Sequence, residues 1–175
     1  MNPKPHLDLA FEYWKTCLLP GDTVIDATCG NGKDTLRLAS LVPQGKVLAL
    51  DIQEDAIIKA KKLTAAYSNV FFFLQSHASF PPSGPIKLVV YNLGYLPFGN
   101  KSLTTMTATT LQSLEMALLK AQAISITCYP GHPEGLVEKE AVFAWAKTLA
   151  PNVWKVFFHE WKETSPCLVF VKKIF

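Results

Sequence analysis

The chain has 175 residues and a formal net charge of +3, and 49% of its residues are hydrophobic while 18% are charged. This length and composition predict a single globular domain over residues 1–175 and exclude an intrinsically disordered chain. No apolar run is long enough for a membrane span and the N-terminus lacks a signal-peptide pattern, so we expect a cytoplasmic protein with no membrane partner.

The chain begins with a predicted covering helix within residues 1–20, which stops at Pro20-Gly21. The sheet and its helices are expected over residues 23–175. Residues 23–25 form a short β-branched run that predicts the first buried strand, and this strand leads directly to Asp26.

The turn after this strand contains Gly30 and Gly32 and leads into a predicted helix over residues 33–42. Glycine adopts positive φ and has no Cβ, so the backbone amides of such a turn can approach a small molecule closely. The second strand, 46–50, ends in Asp51, which is placed to accept hydrogen bonds from two ribose hydroxyls. These features predict a nucleoside-containing cofactor, and a tight turn without a ligand is the alternative.

The rest of the chain continues the alternation of helices and strands. Helices are predicted over 54–67, 103–120 and 134–149, and strands over 69–74, 86–91, 123–128, 152–161 and 167–174. The last two strands are joined too closely for a crossover helix, so they must be antiparallel neighbours. The predicted fold class is α/β: a Rossmann-like, seven-stranded, mostly parallel sheet with an antiparallel last strand and helices on both faces.

The unusual loops all follow the carboxyl ends of predicted strands, where ligands bind in open α/β sheets. These loops are 26–32, the residue Asp51, 75–77, 92–97 and 129–132. Within the helix predicted over 134–149, the spacing places Val137, Ala141, Ala144, Trp145 and Thr148 on one side.

The order of acid and glycines identifies the expected cofactor. Asp26, Gly30 and Gly32 form D-x-x-x-G-x-G, which resembles the first motif of class I S-adenosylmethionine-dependent methyltransferases. The third glycine of a dinucleotide site is missing. The resemblance implies S-adenosyl-L-methionine as cofactor, with S-adenosyl-L-homocysteine as product. The candidate cofactor-binding residues are Asp26, Thr28, Gly30, Asn31, Gly32, Asp34, Thr35, Asp51, Ile52, Gln53, Ser76, His77, Asn92 and Leu93.

Four motifs in order, at residues 26–35, 51–53, 92–97 and 129–135, resemble a small family labelled putative rRNA methylases. That family is associated with methylation of the aminomethyl group of 5-aminomethyl-(2-thio)uridine at the tRNA wobble position. The resemblance therefore implies an RNA methyltransferase whose partner is a tRNA anticodon loop. The chain departs from the family pattern at Ala121-Gln122, at Ser165 and over residues 98–101.

The loop Asn92-Leu93-Gly94-Tyr95 keeps the end residues of the D/N-P-P-Y loop found in class I enzymes that modify planar amines. For an aminomethyl substrate, Asn92 and the carbonyl near Leu93 are expected to hold the neutral amine, and Tyr95 to stack on the uracil ring. His132 is a candidate proton acceptor. The alternatives are a loop shaped only for packing and a His132 that caps the following helix. No metal is required.

Basic residues give a weaker indication of RNA contacts. Arg37 is the only arginine among seventeen basic residues, so bidentate arginine contacts to base edges are not expected. The lysines at 59, 61, 62, 172 and 173 form either solvated surfaces or RNA contacts. Because the positive charge is mild, we expect a homodimer that extends the RNA-binding surface. The four cysteines are widely spaced and suggest neither a zinc site nor a disulfide framework.

Other substrates and other classes of protein remain open at this point. The nearest alternative is a methyltransferase that acts on another RNA, such as rRNA, or on a DNA or protein amine. A nicotinamide-dependent oxidoreductase and a non-catalytic nucleotide-binding module are alternatives of different classes.

Overall fold

Residues 4–94 and 105–175, which the computed structural model describes, contain five helices and seven strands. The helices are α1 (Pro5–Cys17), α2 (Lys33–Leu41), α3 (Glu54–Leu63), α4 (Thr107–Lys120) and α5 (Pro133–Lys147). The strands are β1 (Thr23–Asp26), β2 (Lys46–Asp51), β3 (Val70–Leu74), β4 (Ile86–Asn92), β5 (Ala121–Cys128), β6 (Trp154–His159) and β7 (Cys167–Lys173).

The strands form one sheet in the order β3-β2-β1-β4-β5-β7-β6. The first five strands pair in parallel, and β7 runs antiparallel to both β5 and β6. This arrangement confirms the predicted fold class. The strand order reverses between β1 and β4, so the crevice for a ligand is expected beyond the carboxyl ends of these two strands.

Helices cover both faces of the sheet, which explains why the central strands are almost wholly apolar. Val24 of β1 packs in one cluster with Trp14 of α1, whereas the next residue, Ile25, belongs to the cluster that contains Leu114 of α4. In β4, Leu88 and Val89 are both fully buried. Successive strand residues point to opposite faces, so each face receives its own core.

The side of α5 that carries Val137, Ala141, Ala144, Trp145 and Thr148 is mostly exposed. Of those residues only Trp145 is buried, and Val137 is 57% exposed. The helix instead turns Glu138 inward, at 2% exposure, together with Val142 and Ala146. Apolar spacing failed here because a charged residue enters a core when hydrogen-bond donors meet it there.

The helix predicted over 54–67 is also shorter than expected. It ends at Leu63, which is 44% exposed, and the next residue, Thr64, is buried. None of the described helices is long and apolar enough to cross a membrane.

Candidate active site

The turn after β1 is held between the two neighbouring strands. Ala27 donates its backbone N–H to the Val90 carbonyl at 2.9 Å, and Cys29 donates to the Leu50 carbonyl at 2.8 Å. Gly30 and Gly32 have φ of 51° and 85°, in the left-handed region that favours glycine. Gly32 is also the N-cap of α2, so this segment forms the predicted strand, glycine turn and helix.

Asp26 lies at the end of β1 and is 1% exposed. It accepts a hydrogen bond from the Thr35 hydroxyl at 2.7 Å and a longer one from the Thr28 backbone at 3.3 Å. Burial raises the pKa of Asp26 to about 7, and the neighbouring Asp34 adds to the rise, although both hydrogen bonds oppose it. Thr35, itself buried, therefore orients this carboxylate.

Asp51 closes the same crevice from the end of β2. Its two carboxylate oxygens accept backbone N–H groups of Gly30 and Gln53, both at 2.9 Å. A carboxylate has about four acceptor positions, so Asp51 can still accept ribose hydroxyls. The contact with Gly30 ties the second strand end to the glycine turn.

Three carboxylates, those of Asp26, Asp34 and Asp51, thus meet in one crevice. None of them belongs to an ion pair within residues 4–94 and 105–175. Burial raises the pKa of Asp34 as well, while its hydrogen bond from Asn92 lowers it. Buried carboxylates need a compensating cation. A ligand with a sulfonium and an α-ammonium group meets this need, so the residues fit S-adenosylmethionine.

Asn92, the last residue of β4, is fixed by two short contacts. Its backbone N–H donates to the Thr28 hydroxyl, and its side-chain Nδ2 donates to Asp34 Oδ2, both at 2.6 Å. The amide is therefore oriented with its nitrogen toward Asp34. The opposite atom, Oδ1, is buried and has no hydrogen-bond partner among the described residues. Among the residues that the structure describes, Asn92 thus presents an unpaired acceptor at the end of β4, and the Oδ1 of Asn31, in the glycine turn, is likewise buried without a hydrogen-bond partner.

Four of the candidate cofactor-binding residues follow β2 and β3. Ile52 is 60% exposed, and Gln53 is the N-cap of α3. The Ser76 hydroxyl accepts the Ala78 N–H at 3.1 Å. His77 is buried with its ring edge against Tyr91, at 5.8 Å between ring centroids, and burial lowers its pKa. His77 is therefore held as a neutral packing residue near this end of the crevice.

The remaining predicted residues lie around the ends of β4 and β5. Leu93 is buried and donates its N–H to the Thr127 carbonyl at 2.9 Å. His132 is the N-cap of α5, where its Nδ1 accepts the Gly135 N–H at 3.1 Å. This contact corresponds to the capping alternative, and a catalytic role for His132 stays a prediction. Tyr95 lies outside the described residues.

The sequence did not predict a buried hydrogen-bond network behind Gly94. Glu138 accepts hydrogen bonds from the hydroxyls of Thr105 and Thr110, both at 2.6 Å. The Thr105 hydroxyl accepts the Gly94 N–H, and the Thr105 N–H donates to the Gly94 carbonyl, both at 3.0 Å. Glu138 therefore supports the chain two residues beyond Asn92.

Thr105 and Glu138 are far apart in the sequence and match no short motif. The available signal in the sequence was the spacing of Glu138, which lies one helical turn before Val142 and therefore on the same side of α5.

Comparison with known proteins places this geometry in context. The family model described as putative rRNA methylase matches residues 47–172. The chain is 36% identical to a tRNA (mnm(5)s(2)U34)-methyltransferase, chloroplastic, of Arabidopsis thaliana, and the match covers 97% of this chain and 70% of that protein.

Two crystal structures are similar over nearly the whole chain. A putative rRNA-methylase from Clostridium thermocellum is 34% identical with a TM-score of 0.93, and the match covers 99% of this chain and 100% of that one. A putative methyltransferase from Streptococcus mutans, solved in complex with SAH, is 32% identical with a TM-score of 0.88 and the same coverage.

Proposed function

The chain belongs to the putative rRNA methylase family, and from this premise we propose that it methylates the 5-aminomethyl group of uridine or 2-thiouridine at position 34 of tRNA. At the coarser level it is an S-adenosylmethionine-dependent RNA methyltransferase. A nicotinamide-dependent oxidoreductase is therefore not retained. The observation that carries the finer proposal is the buried Oδ1 of Asn92, which has no hydrogen-bond partner within residues 4–94 and 105–175 and is an acceptor suited to an amine.

The carboxylate crevice is the proposed cofactor site. Asp26 and the turn through Gly30 and Gly32 would hold the methionine end, and Asp51 would hold the ribose hydroxyls. When bound, S-adenosylmethionine supplies a methyl group activated by its positively charged sulfur. The chain's own residues contribute negative charge and a fixed turn.

Asn92 is proposed to hold the amine. An alkylammonium has no lone pair, so the substrate must enter as the neutral amine, and burial lowers its pKa toward that form. Oδ1 then accepts one amine hydrogen, which directs the nitrogen lone pair. Because Nδ2 is committed to Asp34, the amide cannot rotate without breaking a 2.6 Å hydrogen bond. Alignment of this kind is the main contribution of a protein to an in-line displacement.

Substitutions of His132 test whether this residue accepts the proton that the substrate amine releases. With Nδ1 accepting the Gly135 N–H, the neutral ring carries its hydrogen on Nε2, so accepting a proton would break the cap. We expect His132→Asn, which keeps a good N-cap residue but removes the base, to keep kcat within about threefold. His132→Ala should lose about 1 kcal/mol of unfolding free energy. Steady-state rates at several pH values check this, and a large loss in the asparagine variant would instead support a proton acceptor.

The substrate is tested by mass spectrometry of nucleosides. Transfer RNA from cells unable to complete the wobble modification is incubated with the protein and S-adenosylmethionine. We expect the aminomethyl nucleoside to gain the mass of one CH₂ group, and tRNA without the aminomethyl group to gain none. Methylation only of rRNA, DNA or a protein would replace the proposed substrate, and absence of transfer to any acceptor would favour a non-catalytic module.

A further inference from the structure

Three aromatic rings form a continuous strip beside the carboxyl ends of the strands. They belong to Tyr129, directly after β5, to His6 in the first turn of α1, and to Trp161, after β6. The His6 ring meets Tyr129 edge-on, with 5.7 Å between centroids, and meets Trp161 at 6.4 Å and 66°. We refer to Tyr129, His6 and Trp161 as the aromatic strip.

The strip begins at the proposed amine site. A Cβ built on Gly94 would lie 3.8 Å from Cδ2 of Tyr129, so the Tyr129 ring packs against the chain two residues after Asn92. The loops after β5 and β6 also touch, because a Cβ built on Gly131 would lie 3.8 Å from the Thr164 carbonyl oxygen. The strip therefore leads outward from Asn92 along two packed loops.

Trp161 is at the outer end of the strip and is 42% exposed. The chain's other tryptophans, Trp14, Trp145 and Trp154, are only 1%, 7% and 8% exposed. An exposed indole contributes little to the core, yet its loop is firmly held.

The support for this loop comes from α5. Lys139 Nζ donates to the Glu160 carboxylate at 2.6 Å and to the Glu163 carbonyl oxygen at 3.5 Å. It therefore holds the chain both before and after Trp161. The lysine side chain is only 10% exposed, which makes this ion pair better shielded than a surface pair. The Trp161 ring is thus presented at a fixed position.

We propose that the aromatic strip binds an unpaired nucleotide of the RNA substrate next to the methylated one, with Trp161 stacking on its base. A target nucleotide can reach a buried amine site only if it leaves its neighbours, and unstacked RNA bases are held on aromatic faces. Lys4, two residues before His6, and Lys162, directly after Trp161, supply positive charge for the adjoining phosphates. This inference rests on the proposed function only for the identity of the RNA.

Intrinsic fluorescence tests the proposal, because a stacked base quenches an indole and Trp161 is the exposed one. The wild-type protein is titrated with an anticodon stem-loop, with single-stranded oligouridine and with an RNA duplex. We expect unpaired RNA to quench the emission. Trp161→Phe should bind within about threefold of wild type and lose most of the quench.

Removal of the ring measures the contribution of stacking. We expect Trp161→Ala to weaken binding of unpaired RNA about 5- to 150-fold, as for loss of one stacked base, with the Kd for S-adenosylmethionine unchanged. Phe71→Ala is the matched control, since Phe71 is 45% exposed on β3 at the opposite edge of the sheet, and it should bind RNA as wild type does.

The proposal would be overturned if Trp161→Ala bound RNA as wild type does, or if it lost affinity equally for duplex and unpaired RNA. It would also be overturned if Trp161 proved necessary for dimer formation and its removal left RNA binding unaffected. Failure of the proposed function is a separate result. If tRNA is not methylated but unpaired RNA still quenches Trp161, tRNA is the wrong substrate, whereas the aromatic strip is still an RNA-binding site. If tRNA is methylated without a quench, the strip is wrong.

Discussion

Replacing Asn92 by alanine is expected to lower kcat about 100- to 1000-fold while leaving the Kd for S-adenosylmethionine within a few-fold of wild type. The magnitude is that of losing one preorganised polar group at a reacting centre. The Oδ1 of Asn92 is a buried acceptor without a hydrogen-bond partner in the part of the chain that the structure describes, whereas the backbone N–H contact of this residue with Thr28 survives the change. The fold of the crevice should therefore persist.

Single-turnover rates on aminomethyl tRNA and isothermal titration with the cofactor separate the two effects. Asp34→Asn serves as a companion variant, because it keeps the Asn92 oxygen but removes the carboxylate that orients the amide. We expect an intermediate loss of rate for this variant. Full turnover by Asn92→Ala would remove the proposed account of amine positioning, and loss of cofactor binding would support the cofactor-binding role that the sequence also predicted for Asn92.

Replacing Asp26 by asparagine is expected to stabilise the protein without cofactor and to impair cofactor binding. The folded carboxyl has a pKa of about 7, raised by burial and by Asp34, against 3.8 for its ordinary value. The folded state therefore binds more protons than the unfolded state between these values. The contribution of Asp26 to stability is fully present below about pH 4 and is lost as the pH rises through 7. Above that pH the ionised group costs about 4 kcal/mol, which the neutral amide avoids.

The affinity for the cofactor should depend on pH in the opposite sense to the stability of the protein without cofactor. A cationic ligand favours the ionised form of Asp26, so the Kd of the wild-type protein should rise as the pH falls below 7, approaching tenfold per pH unit. Asp26→Asn should bind about 30-fold more weakly or worse, as expected when one partner of a buried charge pair is removed, and with little dependence on pH.

Urea unfolding and cofactor titrations at pH 6, 7 and 8 measure both quantities for the two proteins. Equal cofactor affinity in the Asp26→Asn variant would show that the carboxylate is not the counter-charge. A variant less stable than wild type at pH 8 would show that its hydrogen bonds with Thr35 and Thr28 outweigh the cost of burying its charge.

Features that are local in sequence were predictable. The β-branched run before Asp26 and the spacing of Gly30 and Gly32 define a strand, turn and helix within a few residues, and the structure confirms that arrangement. The antiparallel pairing of β6 with β7 followed from the short connection between them. In each case one physical constraint acts on neighbouring residues.

Features that depend on distant residues were not predictable. The orientation of the Asn92 amide is set by Asp34, 58 residues away in the chain. The inward rotation of Glu138 depends on two threonine hydroxyls from the start of α4 and the segment before it. Hydrophobic periodicity treats a glutamate as solvent-facing, so it cannot anticipate a charge that is buried because it is hydrogen-bonded. The cofactor-binding and catalytic roles of the site residues stay predictions until the variants are measured.

The paired backbones of Gly94 and Thr105 couple the end of β4 to α5. Glu138 of α5 accepts a hydrogen bond from the Thr105 hydroxyl, and Thr105 in turn pairs with Gly94, two residues after Asn92. A sequence change that rotates α5 or removes this carboxylate would therefore be transmitted to the strand end that carries Asn92, although Glu138 is distant from it in the chain.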